Sequence, residues 1–260
     1  RLVGLDFDLA SADGKWGGKA FYHHSFSPGD KAFVGANATW LMYRAPNITV
    51  HWNHEYVNEN YNAEVGFVPR LSRFNPETAE IEKNSYWRLE PSFDYRFYPK
   101  NGNVVNWHGP NVYYDGFFDE QFSETDRQIY FSYKVKFTNT SYFEMGYNEY
   151  FTKLFFDTDV TFTNQDAISK GGYNYRDAYI FYKTDVRKRL TGSASANVGS
   201  YYSGLKVSSD LSLSYRAQPY AILSLAYNQN QIWLPNGIKA SLHLIGPKFE
   251  FSFTRSIFFT

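Results

Sequence analysis

The chain has 260 residues, with 26 basic and 26 acidic side chains and a formal net charge of zero. A general nucleic-acid or polyanion binder needs a basic excess, so that class is set aside. Tyr (23) and Phe (24) are abundant, which argues against disorder and for strands. Cysteine is absent, which excludes disulfides, thiolate metal sites and a cysteine nucleophile.

From its first residues the chain repeats with a period of two. Val3, Leu5, Phe7 and Leu9 alternate with Gly4, Asp6, Asp8 and Ala10, the pattern of a strand with one apolar and one polar face. Asp13-Gly14 then marks a tight turn, since both residues tolerate positive φ. After Ala45-Pro46-Asn47, the residues Ile48, Val50, Trp52 and Tyr56 alternate with Thr49, His51, Asn53 and Glu55. Trp87 to Tyr98 is longer. Trp87, Leu89, Pro91, Phe93, Tyr95 and Phe97 share one face, and Arg88, Glu90, Ser92, Asp94, Arg96 and Tyr98 the other. Ile129, Phe131, Tyr133, Val135 and Phe137 repeat the pattern against Gln128, Tyr130, Ser132, Lys134 and Lys136. Leu205, Val207, Leu211, Leu213 and Tyr215 follow, and Phe249, Phe251 and Phe253 close the series.

Further tight turns are expected at Asn101-Gly102-Asn103, Asn139-Thr140, Arg187-Lys188 and Gln218-Pro219. Longer connections are expected at Asn58 to Lys83, Gly116 to Asp126 and Asp157 to Gly172, with shorter ones near Ser27 to Asp30 and Leu234 to Lys239. The count is about 14 strands in a single all-β domain over residues 1–260, with no helix and no linker. No apolar run approaches the ~20 residues of a spanning helix. A membrane barrel stays open, because its strands alternate and are not apolar on average. Tight turns at one end and longer connections at the other are the habit of outer-membrane barrels. A soluble sandwich also alternates, but its inner face is mostly aliphatic. Here the apolar face is aromatic near strand ends, as an interfacial girdle would be, and the polar face carries both charge signs. The expected fold is a transmembrane antiparallel β-barrel, or the C-terminal portion of a larger one, in the bacterial outer membrane.

Asn60-Tyr61-Asn62-Ala63-Glu64-Val65-Gly66-Phe67-Val68-Pro69-Arg70 resembles the N-x-N-x-E-V-G-F-V-x-R loop of a family of Gram-negative outer-membrane proteins. The barrel of that family is a domain of unknown function that follows a carbohydrate-binding-like (family 9-like) domain. Gly4 to Leu9 with Asp13 to Trp16, then Tyr86-Trp87-Arg88, Tyr202 to Tyr227, Leu234-Pro235 and Phe251 to Thr254 resemble other segments of the family in the same order. Ala63 stands where the family has Pro. The resemblance implies that this chain is the C-terminal part of a larger barrel, without the carbohydrate-binding-like domain, the earlier strands and a final strand. It implies a link to glycans and supplies no reaction.

Asn60, Asn62, Glu64, Phe67 and Arg70 are the ligand or plug-loop candidates, because connections beyond about 12–15 residues are usually functional or disordered. The alternative is that Val65, Phe67 and Val68 tuck in and Glu64 pairs structurally. Asp6, Asp8, Glu55, Arg88, Glu90, Asp94, Arg96, Lys134 and Lys136 are expected on a lumen face, lining a solute path or forming a self-neutralising network. No catalytic residue is assigned. His23 and His24 point to opposite faces and His51 and His54 cannot share one, so no metal site is expected, nor a cofactor. Gly17-Gly18 and Gly171-Gly172 are expected to ease close packing or bends. Trp107, Tyr113, Tyr114, Phe117, Phe118 and Trp233 are read as loop aromatics that either stack on sugars or pack. The expected function is surface glycan binding or solute passage, with a closed-lumen scaffold and an outer-membrane hydrolase as alternatives. The expected partners are outer-membrane lipid, glycans and other envelope proteins, with no nucleic acid.

Overall fold

A computed structural model of the chain describes residues 1–27, 34–62, 68, 70–101, 103–162, 168–217, 219–235, 237–252 and 258–259. Glu64 and Phe67 of the candidate loop, with Gly102 and Gln218 of two expected turns, lie outside the described residues.

The described elements are all strands. They are β1 (Leu2–Ala10), β2 (Trp16–Ser25), β3 (Gly35–Arg44), β4 (Ile48–Val57), β5 (Ser72–Asn75), β6 (Glu80–Lys83), β7 (Tyr86–Leu89) and β8 (Ser92–Tyr95). Then follow β9 (Val105–Phe118), β10 (Glu124–Phe137), β11 (Tyr142–Leu154), β12 (Gly171–Lys183) and β13 (Leu190–Tyr201). The last are β14 (Gly204–Ala217), β15 (Ala221–Trp233), β16 (Lys239–Ser252) and β17 (Phe258–Phe259). Fifteen of them form one antiparallel sheet that follows chain order, with β7 and β8 sharing one place in it, while β5 and β6 form a separate hairpin. Among the described residues β1 pairs only with β2 and β17 only with β16, so the sheet has two edges.

β7 and β8 occupy one position between β4 and β9. They are the two halves of a strand broken at Glu90-Pro91, because Pro91 has no N–H to give the ladder. Asn53 and Glu90 still exchange backbone bonds of 3.2 and 2.8 Å across the break, and the Tyr114 N–H donates to the Pro91 carbonyl at 3.0 Å. The expected long connection from Gly116 to Asp126 is corrected. β9 continues to Phe118 and β10 starts at Glu124, so only 119–123 turn. The Asp119 carboxylate closes that turn by accepting the N–H groups of Gln121 (3.1 Å) and Ser123 (2.8 Å), a local signal that Gly116 had masked.

The register carries the two faces intact across the sheet. The apolar positions Leu5, Leu41, Trp52, Phe93, Val112, Phe131, Met145, Ile180, Leu211 and Leu225 fall on one face. No second layer covers them among the described residues, and Leu5 is 78% and Ile180 56% exposed. Trp16, Tyr43, Tyr95, Tyr133, Tyr182 and Tyr215 edge this band at one end. Tyr22, Tyr56, Trp87, Phe118 and Trp233 edge it at the other. Gly18 lies within the band, where an added Cβ would sit 2.7 Å from the Trp40 carbonyl oxygen, so it permits a close approach of strands.

The ends of the sheet differ. At one end the connections are 11–15, 45–47, 96–104, 138–141, 184–189 and 218–220. At the other lie 26–34, the long 58–85 segment that contains β5 and β6, 119–123, 155–170, 202–203 and 234–238. The two longest fold onto the polar face. Tyr61, Val68 and Leu71 pack with Val57, Tyr86 and Phe117, while Val160 and Ile168 pack with Ile232, Leu234 and Ala240.

Candidate functional site

The polar face carries a series of hydrogen-bonded and charge-paired clusters across β4 to β12. Arg88 grips the Asp115 carboxylate through two bonds of 2.7 and 2.9 Å and lies 3.3 Å from Glu90. Glu90 also accepts from Asn53 Nδ2 (3.0 Å) and the Tyr113 hydroxyl (2.6 Å), and Glu55 accepts from the Tyr86 hydroxyl. Asp94 lies between Arg96 at 2.9 Å and Lys134 at 3.5 Å. Glu144 accepts from Tyr142 (2.5 Å) and Tyr179 (2.6 Å), and Asp177 from Asn148 (2.7 Å). A bidentate guanidinium–carboxylate pair fixes direction as well as charge, so these groups hold one arrangement.

Of the sequence candidates, the structure brings Glu55, Arg88, Glu90, Asp94, Arg96 and Lys134 together on this face. Lys136 stands apart and donates to the Thr140 carbonyl at 2.6 Å. Asp6 pairs with Lys19 (3.1 Å) and His23 (3.4 Å) near the β1 edge, with Asp8 opposite Lys19 in register. Sequence reasoning missed Asp115, because Tyr113, Tyr114 and Phe117 around it were read as loop aromatics, and Asp126, because it closed the expected connection from Gly116. The alternation of Tyr113, Asp115 and Phe117 was the available signal. It also misplaced the loop aromatics. Trp107, Tyr113, Tyr114, Phe117 and Phe118 belong to β9 and Trp233 to β15.

A pocket of about 460 Å³ opens where the two long connections meet above the polar face. Arg70, Arg73 and Lys83 come from one connection, Lys153 and Phe155 from the other side, and Tyr86, Phe117 and Asp126 from the sheet. Arg70 donates to Asp126 at 2.5 Å and lies 3.9 Å over the Phe117 ring, which Arg88 approaches at 5.2 Å on the network side. Arg70 does this with φ of 65°, a left-handed backbone that costs a non-glycine residue about 1 kcal/mol. Arg73 lies 3.7 Å over Phe155 while its Nε donates to Glu82 at 2.7 Å, which holds the Glu82 carboxyl below the usual range. Lys170 and Glu77 meet at 3.5 Å. Among the described residues the two connections therefore touch through Arg73 against Phe155 and, at 5.9 Å, Phe156 and through one exposed ion pair, while each is anchored to its own wall by an apolar cluster. Asn60 and Asn62 serve that anchoring: the Asn60 N–H donates to Asn58 Oδ1 (3.0 Å) and the Asn62 N–H to Ser25 Oγ (3.2 Å).

Beside the pocket the polar face is lined by tyrosines. Tyr150 stacks on Tyr175 at 5.0 Å and 14°, and Tyr175 on Tyr202 at 5.2 Å and 30°. Next to them lie Asn148 and Asp177. Aromatic faces beside amide and carboxylate groups suit polar ligands with apolar faces, as sugars have. Among the described residues no group of three or more His, Asp or Glu side chains could hold a metal ion. His51 and His54 point to opposite faces, as their spacing requires.

No protein-family model matches the chain, and no curated protein or solved structure matches it.

Proposed function

We propose that this chain forms wall and cap of an outer-membrane β-barrel, and that the capped end binds glycans or admits a polar solute. One observation carries the reading: among the described residues no second layer covers the apolar face, and aromatic residues edge it at both ends. A soluble sheet buries such a face under a second layer. Lipid supplies that cover in a membrane, and Tyr and Trp then sit at headgroup level. The end with the long connections faces outward, following the outer-membrane habit. Closure of the barrel brings β1 and the last strands together, directly or through further strands. The glycan link rests on the resemblance of Asn60 to Arg70 and on the tyrosines beside Asn148 and Asp177.

The two connections folded over the polar face also favour a second reading, a closed barrel that serves as a scaffold for envelope proteins. Flotation with vesicles tests the membrane, and conductance in planar bilayers, with and without residues 60–70, separates the two readings. Steady conductance in the intact protein supports passage. Silence that deletion relieves makes the connection a plug. Insertion with silence in both proteins ends the passage reading and leaves the scaffold.

A further inference from the structure

The apolar face has one anomaly. Among the described residues, its positions inside the strands carry Asp, Glu, Lys or Arg only at Arg127, Glu149 and Arg176, apart from Glu124, Lys153 and Lys239 at or beside strand ends. Register sets Glu149 between Ile129 on one side and Arg176 on the other. It sets Arg127 opposite Gly116, two residues short of Phe118 in the aromatic edge. The three therefore share one place on β10, β11 and β12, at the border of the band toward the long connections. Elsewhere that border is uncharged, with Asn37 and His54 on β3 and β4 and Gln229 and His243 on β15 and β16.

The three charges are not arranged to neutralise one another. Glu149 and Arg176 stand directly opposite, yet Glu149 accepts instead from the Tyr147 hydroxyl at 3.2 Å. Among the described residues the exposed Arg176 guanidinium has no ion pair. Arg127 reaches Asn174 Oδ1 at 3.2 Å and Glu124 at 3.2 Å, but its Nε is buried without a partner. Between these side chains, Asn174 and Ser200 lies a cleft of about 370 Å³. A charge facing hydrocarbon is costly at the bilayer centre and nearly free at the interface. A guanidinium at that level, with free donors, fits a phosphate oxygen geometrically. By the reading above, this border meets the outward leaflet of an outer membrane. The lipid of that leaflet is a glycolipid whose head is a phosphorylated, N-acylated glucosamine disaccharide. Its phosphates call for cations, and its hydroxyl and amide N–H groups call for acceptors. Glu149 would repel a head that carried negative charge alone, and a neutral sugar would leave two guanidinium groups unanswered. Both signs beside Asn174 and Ser200 suit a head that carries phosphate and sugar together.

We propose that Arg127, Glu149 and Arg176 form a site for the phosphorylated sugar head of the outer-leaflet glycolipid. A phosphate sits on Arg176 with help from Arg127, and Glu149 accepts from a sugar hydroxyl. The acyl chains run down the band along the exposed Met145 and Ile180, which stand opposite each other on β11 and β12. The site rests on the membrane reading above.

The test uses the full chain folded into phosphatidylcholine vesicles doped equally with diphosphoryl lipid A and phosphatidylglycerol, and flotation confirms insertion first. After transfer to mild detergent, native mass spectrometry reads which lipid stays bound. The wild type is expected to retain lipid A in preference to phosphatidylglycerol, which is anionic but carries no sugar. Arg176→Gln should lower that retention about tenfold, the worth of one hydrogen bond to a charged group. Glu149→Gln should narrow the preference over phosphatidylglycerol, because only the sugar loses an acceptor. Lys183→Gln removes an exposed cation at the far end of β12 and should change nothing. All three side chains reach the surface, so the variants should still insert. Equal retention in wild type and Arg176→Gln overturns the site, and so does an equal loss in Lys183→Gln, which would make the effect one of net charge. Displacement of lipid A by millimolar inorganic phosphate also overturns it, leaving a site for a bare anion. Failure of the wild type to float overturns the membrane reading and the site together, whereas insertion without selective retention overturns the site alone.

Discussion

The polar face is built in two ways. Across β4 to β12 it is crowded with Arg, Asp, Glu and Tyr, many of them held by a named partner. Across β13 to β16 it carries Ser193, Ser195, Asn197, Ser208, Asp210, Ser212, Asn228 and Asn230. There Ser195 and Asn228 donate to Asp210, and Asn230 donates to Asn228 at 2.6 Å. The first wall spends its volume on large paired side chains, with the bidentate Arg88–Asp115 pair at its centre. The second is thin, and the connection 155–170 reaches over it, setting Val160 and Ile168 against Ile232 and Ala240. Small hydroxyl and amide residues leave the room that this connection fills. Apolar burial therefore holds the cap over the thin wall, whereas over the thick one the charge and cation–π contacts at Arg70 are added to the Tyr61, Val68 and Leu71 cluster.

The sharpest way to break this comparison is Arg88→Ala. It leaves Asp115 and Glu90 without their cation in a partly buried place, where the Arg88 side chain is 26% exposed. Breaking a fully buried pair costs about 3–5 kcal/mol, so about 2–3 kcal/mol is expected here in urea unfolding. Ser195→Ala in the thin wall should cost under about 1 kcal/mol. Equal losses would mean that the walls do not differ.

Glycines give the next contrast, since Gly146 and Gly246 both lie inside strands on the polar face. A Cβ at Gly146 would sit 2.4 Å from the Tyr179 ring and 2.7 Å from the Phe131 carbonyl oxygen. At Gly246 the nearest atom, Ala226 Cβ, would be 3.9 Å away. Gly146→Ala should destabilise by about 1–3 kcal/mol through overpacking, whereas Gly246→Ala should be neutral or stabilise by about 0.5 kcal/mol. The same urea midpoints decide.

A smaller effect is expected at the cap. Arg70→Ala removes the Asp126 pair and the Phe117 contact, so the 58–85 connection should open more often. Protease nicking within it should rise about fivefold, the equivalent of about 1 kcal/mol, with little change in global unfolding. An unchanged nicking rate would mean that Tyr61, Val68 and Leu71 hold the connection alone.

The smallest effect lies at the opposite end. Asp185 accepts from the Arg187 guanidinium and N–H at 2.9 Å and from Thr140 Oγ1 at 2.8 Å, tying turn 184–189 to turn 138–141. The Arg187 guanidinium holds the Asp185 carboxyl well below the usual carboxylate range. A depressed carboxylate stabilises above the unfolded value of about 3.9, and the contribution is lost as pH falls through the lower folded value. Amide exchange at Arg187, corrected for its intrinsic pH dependence, should therefore rise only well below about pH 4. A rise already near neutrality would show that the carboxylate does not hold the turn.

Much of this was legible in the sequence. The period of two in Trp87 to Phe97 assigned each side chain to its face, because a strand leaves no other choice once its register is set. The contrast between Asp13-Gly14 and the stretch from Asn58 to Lys83 separated the two ends. Where alternation met a turn-like residue the reading failed, as at Gly116, whose backbone simply continues in β9. The partners were not legible either. Nothing local to Arg88 singles out Asp115 rather than Asp94, and nothing near Arg70 names Asp126, since each partner lies on another strand. Alternation and turn chemistry are local properties, so the sequence by itself determined an antiparallel sheet with one apolar and one charged face. Which charges pair, where the two long connections meet, and that Arg127, Glu149 and Arg176 share one spot depend on cross-strand register, which only the tertiary structure decided.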